Sequence, residues 1–233
     1  MRRLCTICAR GGSKGVPGKN IRLMLGKPLL VHSIDHAKAS GQFERVAVSS
    51  DSGAILAVAK GAGADDLIER PSELASDSAG KIPAIHHALS VIEGRYAVVY
   101  DTLVDLDATS PLRTAGDIAG AVRLLESRRV SSVITGSPSH RSPYFNLVEE
   151  AVDGSVRVAK QAPAEFVRRQ DVPPTFDMNA SVYVWCADAF RRDPRVFYSD
   201  TLLYEMPRER SLDIDSELDF AIVEFVGGLA SKR

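Results

Sequence analysis

The residues between positions 9 and 20 read ARGGSKGVPGKN and include four glycines, two lysines and one arginine. Glycines allow successive backbone N–H groups to approach an anion closely, and nearby cations neutralise its charge. Neither of the common phosphate-loop patterns, GxxxxGK[ST] and GxGxxG, fits this spacing. The stretch therefore predicts a polyphosphate site outside those two classes, and the alternative is a flexible surface turn.

A second group with chemical potential is the pair Asp213 and Asp215 near the other end of the chain. Residues two apart on an extended segment point to the same side, and two carboxylates placed so closely repel unless a cation lies between them. Mg²⁺ is commonly held by one or two carboxylates together with substrate phosphates. The pair predicts a Mg²⁺ site, with Mn²⁺ as the substitute ion. The alternative is that one of the two caps the helix that follows, with Glu217 and Asp219 in its first turn.

The elements that position these groups alternate between short apolar runs and helical patterns. The sequence predicts strands at 4–9, 45–50, 97–100 (with an extension to 106) and 132–135, and helices at 29–39, 54–60, 82–92 and 118–126. Such alternation is typical of an α/β fold with a doubly wound, mostly parallel, Rossmann-like sheet. Ligands of such sheets lie beyond the carboxyl ends of the strands, which points to the loops that begin at Arg10, Asp51 and Asp107.

The pattern changes over residues 137–176, although the whole of 1–233 is expected to form a single domain. Runs at 145–149 and 155–158 flank Asp153-Gly154 and predict a hairpin, and three prolines in the same segment oppose regular helix. We interpret 137–176 as an excursion from the main sheet that serves as a dimerisation arm or a lid. A strand at 180–185 and a helix at 216–229 complete the domain.

The composition excludes several classes of protein. The chain has 233 residues, 45% of them hydrophobic, and a formal net charge of −1. This balance argues against a nucleic-acid-binding surface or a polybasic membrane patch. No run reaches transmembrane length, and the apolar stretch that ends before Arg10 is too short for a signal peptide, so we expect a cytoplasmic protein.

Two pairs with metal-binding spacing are better explained by packing. Cys5 and Cys8 form a C-x-x-C inside a predicted strand, where residues three apart point to opposite faces, so the two sulfurs diverge. His32 and His36 share a helix face, but no third ligand accompanies them. We expect buried cysteines and a packed or solvated histidine face.

Six blocks of the sequence, in order, resemble those of the acylneuraminate cytidylyltransferases, the CMP-sialic acid synthetase family. The blocks are the glycine-rich stretch at 9–21, AVSSD at 47–51, ERP through ASD at 69–77, ATSPLR at 108–113, NASVY at 179–183 and DIDSE at 213–217. The resemblance implies a nucleotidyltransferase fold, a homodimer and the transfer of CMP from CTP to an acidic sugar with release of pyrophosphate.

The same resemblance implies a role for individual residues. Nucleotide contacts are implied for Arg10, Gly11, Gly12, Ser13, Lys14, Lys19, Asn20, Arg70, Ala79 and Lys81. The last two belong to the segment 77–81, which is implied to read the cytosine edge through backbone groups. Sugar contacts are implied for Asp107, Thr109, Ser110, Arg169, Asn179 and Tyr183, and Arg169 would reach the site of a neighbouring subunit. Lys19, Asp213 and Asp215 are implied as catalytic, the two aspartates also as metal ligands.

The identity of the sugar rests on details of these blocks. Sialic acid enzymes typically carry QPTSPLR, whereas this chain has Asp107 where the glutamine is expected, so an amide donor and acceptor is replaced by an acceptor alone. The form of this block and of the first strand resembles bacterial legionaminic acid cytidylyltransferases, with sialic and pseudaminic acids as rival acceptors. Two other classes stay open: a sugar-1-phosphate nucleotidyltransferase and a non-catalytic CTP-binding regulatory domain.

Overall fold

The computed structural model describes residues 1–12, 15–76, 79–161 and 172–230, and its centre is a seven-stranded sheet. The strands are β1 (Arg3–Cys8), β2 (Leu23–Met24), β3 (Lys27–Pro28), β4 (Arg45–Ser50), β5 (Asp66–Glu69), β6 (Thr102–Leu106), β7 (Ser132–Pro138), β8 (Val148–Glu150), β9 (Val156–Val158), β10 (Phe176–Cys186) and β11 (Leu202–Glu205). The helices are α1 (Leu29–Ala39), α2 (Gly53–Gly61), α3 (Lys81–Tyr96), α4 (Ala115–Arg128), α5 (Ala187–Arg192) and α6 (Glu217–Ala230).

The central sheet has the strand order β11-β7-β10-β6-β1-β4-β5. β10 runs antiparallel to its neighbours β6 and β7, and the other pairs in the sheet are parallel. The prediction of a doubly wound, mostly parallel α/β sheet is confirmed. Because β1, β4 and β6 are adjacent and parallel, the loops that follow them meet at one edge of the sheet, where ligands of such folds bind.

Two apolar layers cover the sheet. The layer that contains α1, α2 and α4 includes Cys5, and the layer that contains α3 and α5 includes Cys8 at its margin. The prediction that the two sulfurs point to opposite faces is confirmed. A smaller cluster joins the loop after β1 to α6 through Val16, Ile214 and Phe220. This cluster matters for function because it fixes the glycine-rich loop against the segment that carries Asp213 and Asp215.

The predicted strand at 97–100 is wrong. Ala97 has a left-handed backbone (φ 51°), and its N–H donates to the carbonyl of Glu93 in the last turn of α3. The N–H of Tyr100 donates to a carboxylate oxygen of the same glutamate at 3.0 Å. These residues therefore end a helix that is longer than predicted, and the strand begins only at Thr102.

The excursion consists, where it is described, of turns and the hairpin β8–β9, so the predicted hairpin is confirmed. Its edges belong to the main sheet, because β7 continues to Pro138 and β10 begins at Phe176. Its use as a dimerisation arm or a lid stays a prediction. No helix of the described residues has both the length and the apolar character that crossing a membrane requires.

Candidate active site

The loop after β1 is fastened to the neighbouring strand ends by polar contacts. The N–H of Gly11 donates to Asp51 Oδ1 at 2.8 Å, and Asn20 Nδ2 donates to the carbonyl of Arg10 at 3.0 Å. Arg10 Nη1 donates to the carbonyl of Ser76 at 3.3 Å. The loop thus folds over the edge of the sheet where β1 and β4 end, in the place that the sequence predicts.

The far end of this loop meets the aspartate pair. Lys19 Nζ donates to the carbonyl of Ile214 at 2.5 Å and lies 3.3 Å from Asp215 Oδ1. Gly15 lies so close that a Cβ atom added there would be 1.9 Å from the carbonyl oxygen of Asp215. Because real Cβ atoms never approach so near, only glycine fits at this position. The structure therefore brings together the two groups that the sequence singled out, across almost 200 residues of chain.

A cavity of about 170 Å³ opens beside the loop. It is lined by Cys8, Arg10, Arg70, Leu74, Ser76, Ala79, Gly80, Lys81, Ala84 and Asp107. Arg70 is buried and donates from Nε to Ser49 Oγ at 3.2 Å and from Nη2 to the carbonyl of Ser49 at 2.8 Å. Its burial excludes a solvated surface arginine at this position. The predicted nucleoside residues Arg70, Ala79 and Lys81 all line the same cavity.

One wall of the cavity carries a lysine between two carboxylates. Lys81 Nζ is 2.9 Å from Asp105 Oδ2 and 2.8 Å from Asp107 Oδ2. Burial alone would lower the pKa of Lys81, but the two aspartates outweigh it and raise that pKa, so the ammonium stays charged. Burial raises the pKa of Asp105, whose other oxygen accepts from Thr6 Oγ1 at 2.8 Å. The sequence did not identify Asp105 as a site residue, because only the fold places it beside Lys81.

The loop after β6 is ordered by its own first residue. Asp107 Oδ1 accepts from Thr109 N at 3.1 Å and from Thr109 Oγ1 at 2.9 Å. The hydroxyl of Ser110 is buried and has no hydrogen-bond partner among the described residues. The N–H of Ile214 donates to the carbonyl of Thr109 at 3.1 Å, so this loop also touches the aspartate segment.

Two residues predicted to bind sugar make interior contacts. Asn179 is buried and uses both ends of its amide: Oδ1 accepts from Thr135 Oγ1 at 2.6 Å, and Nδ2 donates to Ser211 Oγ at 3.0 Å. The ring of Tyr183 stacks on Trp185 with a centroid separation of 5.4 Å, and Lys81 Nζ lies 4.9 Å from the centre of the same tyrosine ring. These contacts show structural roles for both side chains, and their contact with a sugar stays a prediction.

Arg113 is a buried residue of this region that sequence reasoning did not select. Its guanidinium donates to Ser181 Oγ at 3.1 Å, to Ser33 Oγ at 3.2 Å and to the carbonyl of Asp107. Burial lowers its pKa to about 10. The signal was its place in the ATSPLR block, but its partners lie on α1 and β10 and become neighbours only in the folded chain.

Neither Asp213 nor Asp215 caps the N-terminus of α6. Ser216 and Asp219 cap α6 instead, since the N–H of Asp219 is 3.2 Å from Ser216 Oγ and the N–H of Ser216 is 2.8 Å from Asp219 Oδ2. The alternative that Asp213 or Asp215 caps the helix is therefore wrong. Burial and the nearby charge of Asp215 raise the pKa of Asp213. Between the two, Ile214 is fully buried, whereas Asp213 and Asp215 are exposed.

The remaining predicted residues differ in what can be said of them. Gly12 lies in the described part of the loop, and a Cβ added there would meet no atom within 4 Å. Ser13, Lys14 and Arg169 lie outside the described residues. His32 donates to or accepts from the carbonyl of Met24 at 2.8 Å, and His36 packs beside it, so the packed interpretation of that pair holds.

The fold and the site define a nucleotide-binding α/β enzyme, with a glycine-rich loop at the end of β1, a cavity lined by cations and a carboxylate pair opposite the loop. The family model described as Cytidylyltransferase matches residues 4–223. The chain is 43% identical to "Post-translational flagellin modification protein B" of Campylobacter coli, over 96% of this chain and 94% of that protein. It is 42% identical to "CMP-N,N'-diacetyllegionaminic acid synthase" of Campylobacter jejuni, with the same coverage.

A solved structure supports the fold. "CMP:2-keto-3-deoxy-manno-octonic acid synthetase", complexed with CTP, matches with a TM-score of 0.69 over 100% of both chains, at 14% sequence identity. At this identity the likeness shows the architecture and nothing more. The family match and the two relatives show more: the chain belongs to the cytidylyltransferase family and is a nucleotidyltransferase.

Proposed function

We propose that this enzyme transfers CMP from CTP to a nine-carbon 2-keto sugar acid, with legionaminic acid as the acceptor and pyrophosphate as the second product. The observation that carries the proposal is the junction of the glycine-rich loop with Ile214 and Asp215 through Lys19, beside the cavity that Arg70 lines. The choice of acceptor is supported by the relative from C. jejuni, which is named for a legionaminic acid derivative. N-acetylneuraminic and pseudaminic acids are the rival acceptors.

The proposed reaction is an in-line displacement at the α-phosphorus of CTP. The oxygen of the sugar's anomeric hydroxyl forms a bond to that phosphorus, the bond from the phosphorus to the α,β-bridging oxygen breaks, and pyrophosphate leaves with the electron pair. The hydroxyl proton passes to Asp213 or Asp215, the carboxylates of the segment that Lys19 contacts. Arg10 and Lys19 hold the triphosphate and stabilise the charge that grows on the leaving group, which is the main contribution expected in transfers of this kind.

The carboxylates fit a divalent cation of the hard type. Asp213 and Asp215 are exposed on either side of the buried Ile214. Burial raises the pKa of Asp213, and the like charges of Asp215 and Asp107 raise it further, so a positive charge at this place would be stabilising. Oxygen donors of this kind suit Mg²⁺, with substrate phosphates completing the shell. Bound there, the ion would polarise the α-phosphate and lower the pKa of the attacking hydroxyl.

The test is release of pyrophosphate by the purified chain with CTP and Mg²⁺ against a panel of free acids: legionaminic, N-acetylneuraminic, pseudaminic and Kdo. Release with one nine-carbon acid supports the proposal and names the acceptor. A sugar 1-phosphate belongs in the same panel, because turnover of that compound alone would indicate the other nucleotidyltransferase class. CTP binding without release with any acceptor would favour a regulatory domain.

A further inference from the structure

The side chain of Lys81 has no assigned part in the reaction, although it lies in the wall of the cavity. Asp105, its first partner, is fully buried, whereas the side chain of Lys81 is 29% exposed. The ammonium also lies 4.9 Å from the centre of the Tyr183 ring, which is its third neighbour. Lys81 is therefore a cation held in place by its neighbours and open to the cavity.

Asp107, its second partner, has little bonding capacity left for a substrate. One of its oxygens accepts two hydrogen bonds from Thr109, and the other accepts from Lys81 at 2.8 Å. An ammonium, by contrast, has three N–H donors. Asp107 engages one of them, and Asp105 Oδ2 lies within ion-pair distance at 2.9 Å. The group that this wall offers to a bound molecule is thus a remaining N–H donor of Lys81, and Asp107 positions it.

The net charge of Lys81, Asp105 and Asp107 together indicates which kind of ligand atom Lys81 binds. One ammonium and two carboxylates have no excess of positive charge, so they offer no attraction to a triphosphate or to the carboxylate of a sugar acid. A single N–H donor in such a neutralised setting suits an uncharged oxygen, such as a hydroxyl or an acylamino carbonyl. The wall also leads to the aspartate pair, because Thr109 connects Asp107 to Ile214.

We infer that Lys81, positioned by Asp105 and Asp107, donates a hydrogen bond to a hydroxyl or acyl carbonyl oxygen of the acceptor sugar and so determines which acid is accepted. This inference rests on the proposed function, since it concerns the acceptor of that reaction. It changes the role of Asp107 from a sugar ligand to a positioning residue, and it gives the side chain of Lys81 a role separate from CTP binding.

The experiment measures initial rates of pyrophosphate release for the full chain and for Lys81→Met, which keeps the methylene stem and removes the donor. We expect the KM for the acceptor to rise by about tenfold or more, while the KM for CTP changes by less than about threefold. The preference between legionaminic and N-acetylneuraminic acids, as a ratio of kcat/KM values, should fall by at least about fivefold. Lys60→Met, on the exposed end of α2, is the matched control and should leave all three values unchanged.

A second variant guards against misfolding, because Lys81→Met leaves Asp105 buried without its ion pair. In Lys81→Met/Asp105→Leu both members of the buried pair are apolar, a change that proteins commonly tolerate. We expect its acceptor KM to stay raised, and a return to the value of the unchanged chain would overturn the inference. An equal or larger rise in the KM for CTP would also overturn it. If the unchanged chain releases no pyrophosphate with any acid, the proposed function fails and this inference fails with it.

Discussion

At the scale of single residues, Gly15 tests whether the glycine-rich loop must contact the aspartate segment. Gly15→Ala would place a Cβ 1.9 Å from the carbonyl of Asp215, so the loop and the segment must separate. We expect turnover to fall by roughly 100-fold, since a small misplacement of charged groups is costly in transfers of this kind. The measurement is kcat and the KM for CTP. Gly53→Ala, in open space at the start of α2, is the matched control, and normal turnover by Gly15→Ala would show that the contact is dispensable.

The carboxylate pair gives a second prediction at this scale. Asp213→Asn and Asp215→Asn should each lower kcat by about 100-fold or more, because each removes a negative charge from the predicted metal site and from the proposed base. Stability should not fall, since Ser216 and Asp219 cap α6 and the charge of Asp213 is disfavoured by burial and by nearby carboxylates. The checks are kcat at saturating CTP with Mg²⁺ and the midpoint of thermal unfolding. Near-normal turnover in both variants would remove the pair from the mechanism, and Asp153→Asn in the distant hairpin serves as control.

The site residues that could be predicted from sequence are those whose type and spacing already imply chemistry. The glycines and cations of the loop and the Asp213–Asp215 pair belong to this kind, and Lys19 indeed lies against Asp215. Asp105 and Arg113 belong to another kind. Asp105 lies in an apolar strand, and Arg113 contacts Ser33 and Ser181 from distant elements. The partners of both residues become their neighbours only in the folded chain, so the sequence alone does not indicate a role for either.

At the scale of elements, α1 carries a histidine that should make stability sensitive to acid. Burial lowers the pKa of His36 to about 4, and its Nδ1 has no hydrogen-bond partner among the described residues. The unfolded chain, with a histidine pKa near 6.5, therefore binds more protons than the folded chain between about pH 6.5 and pH 4. Stability is full above this window and falls as the pH decreases through it.

We expect a loss of about 1–2 kcal/mol in the free energy of unfolding between pH 7 and pH 5 from this one group. The measurement is denaturant unfolding at both pH values for the unchanged chain and for His36→Leu, which should lose most of the difference. His32 adds to the same trend, because burial lowers its pKa as well. His140→Leu, in the excursion, is the control, and an unchanged pH dependence in His36→Leu would contradict the prediction.

The bulge in β10 gives a second prediction for an element. The register of β10 against β7 shifts between Met178 and Tyr183, and Ala180 within it has φ 51°. A side chain in this left-handed region costs about 1 kcal/mol relative to glycine. Ala180→Gly should therefore raise the free energy of unfolding by about 0.5–1 kcal/mol, whereas Ala119→Gly within α4 should lower it by about 1 kcal/mol. Thermal or denaturant unfolding measures both changes. Destabilisation by Ala180→Gly would contradict the prediction, because it would mean that packing of the methyl group outweighs the cost of the left-handed backbone.

Periodicity predicted the buried strands and the amphipathic helices but not the edges of the sheet. β1, β4 and α1 have strong patterns and lie within a residue of their expected bounds. β5 and β11 have four residues each and form because they pair with β4 and β7, a tertiary cause that a short window cannot show. The error at 97–100 has a local origin, since Glu93, four and seven residues earlier, binds Ala97 and Tyr100 at the end of α3.

At the scale of the whole molecule, the described part of the excursion exposes several apolar side chains to solvent. Val148, Val156 and Val158 lie on one face of the β8–β9 hairpin, because Val148 pairs with Val158 and residues two apart share a face. Val148 is 56% and Val156 66% exposed. Glu150, which pairs with Val156, is the charged residue on this face. Exposed apolar side chains grouped on one face commonly mark a protein–protein contact. This grouping supports the prediction that 137–176 is a dimerisation arm.

The corresponding prediction is that the chain is a dimer in solution, with twice the 25.2 kDa mass of one chain by light scattering. Val148→Lys/Val156→Lys should convert it to a monomer, because four charges per dimer would be buried in the contact. Phe225→Lys, which changes an equally exposed apolar residue on α6, should leave the dimer intact. If Arg169 acts in the neighbouring subunit's site, the monomeric variant should also lose turnover and should bind CTP normally. A monomer that turns over at the full rate would exclude both the shared site and a catalytic need for the dimer.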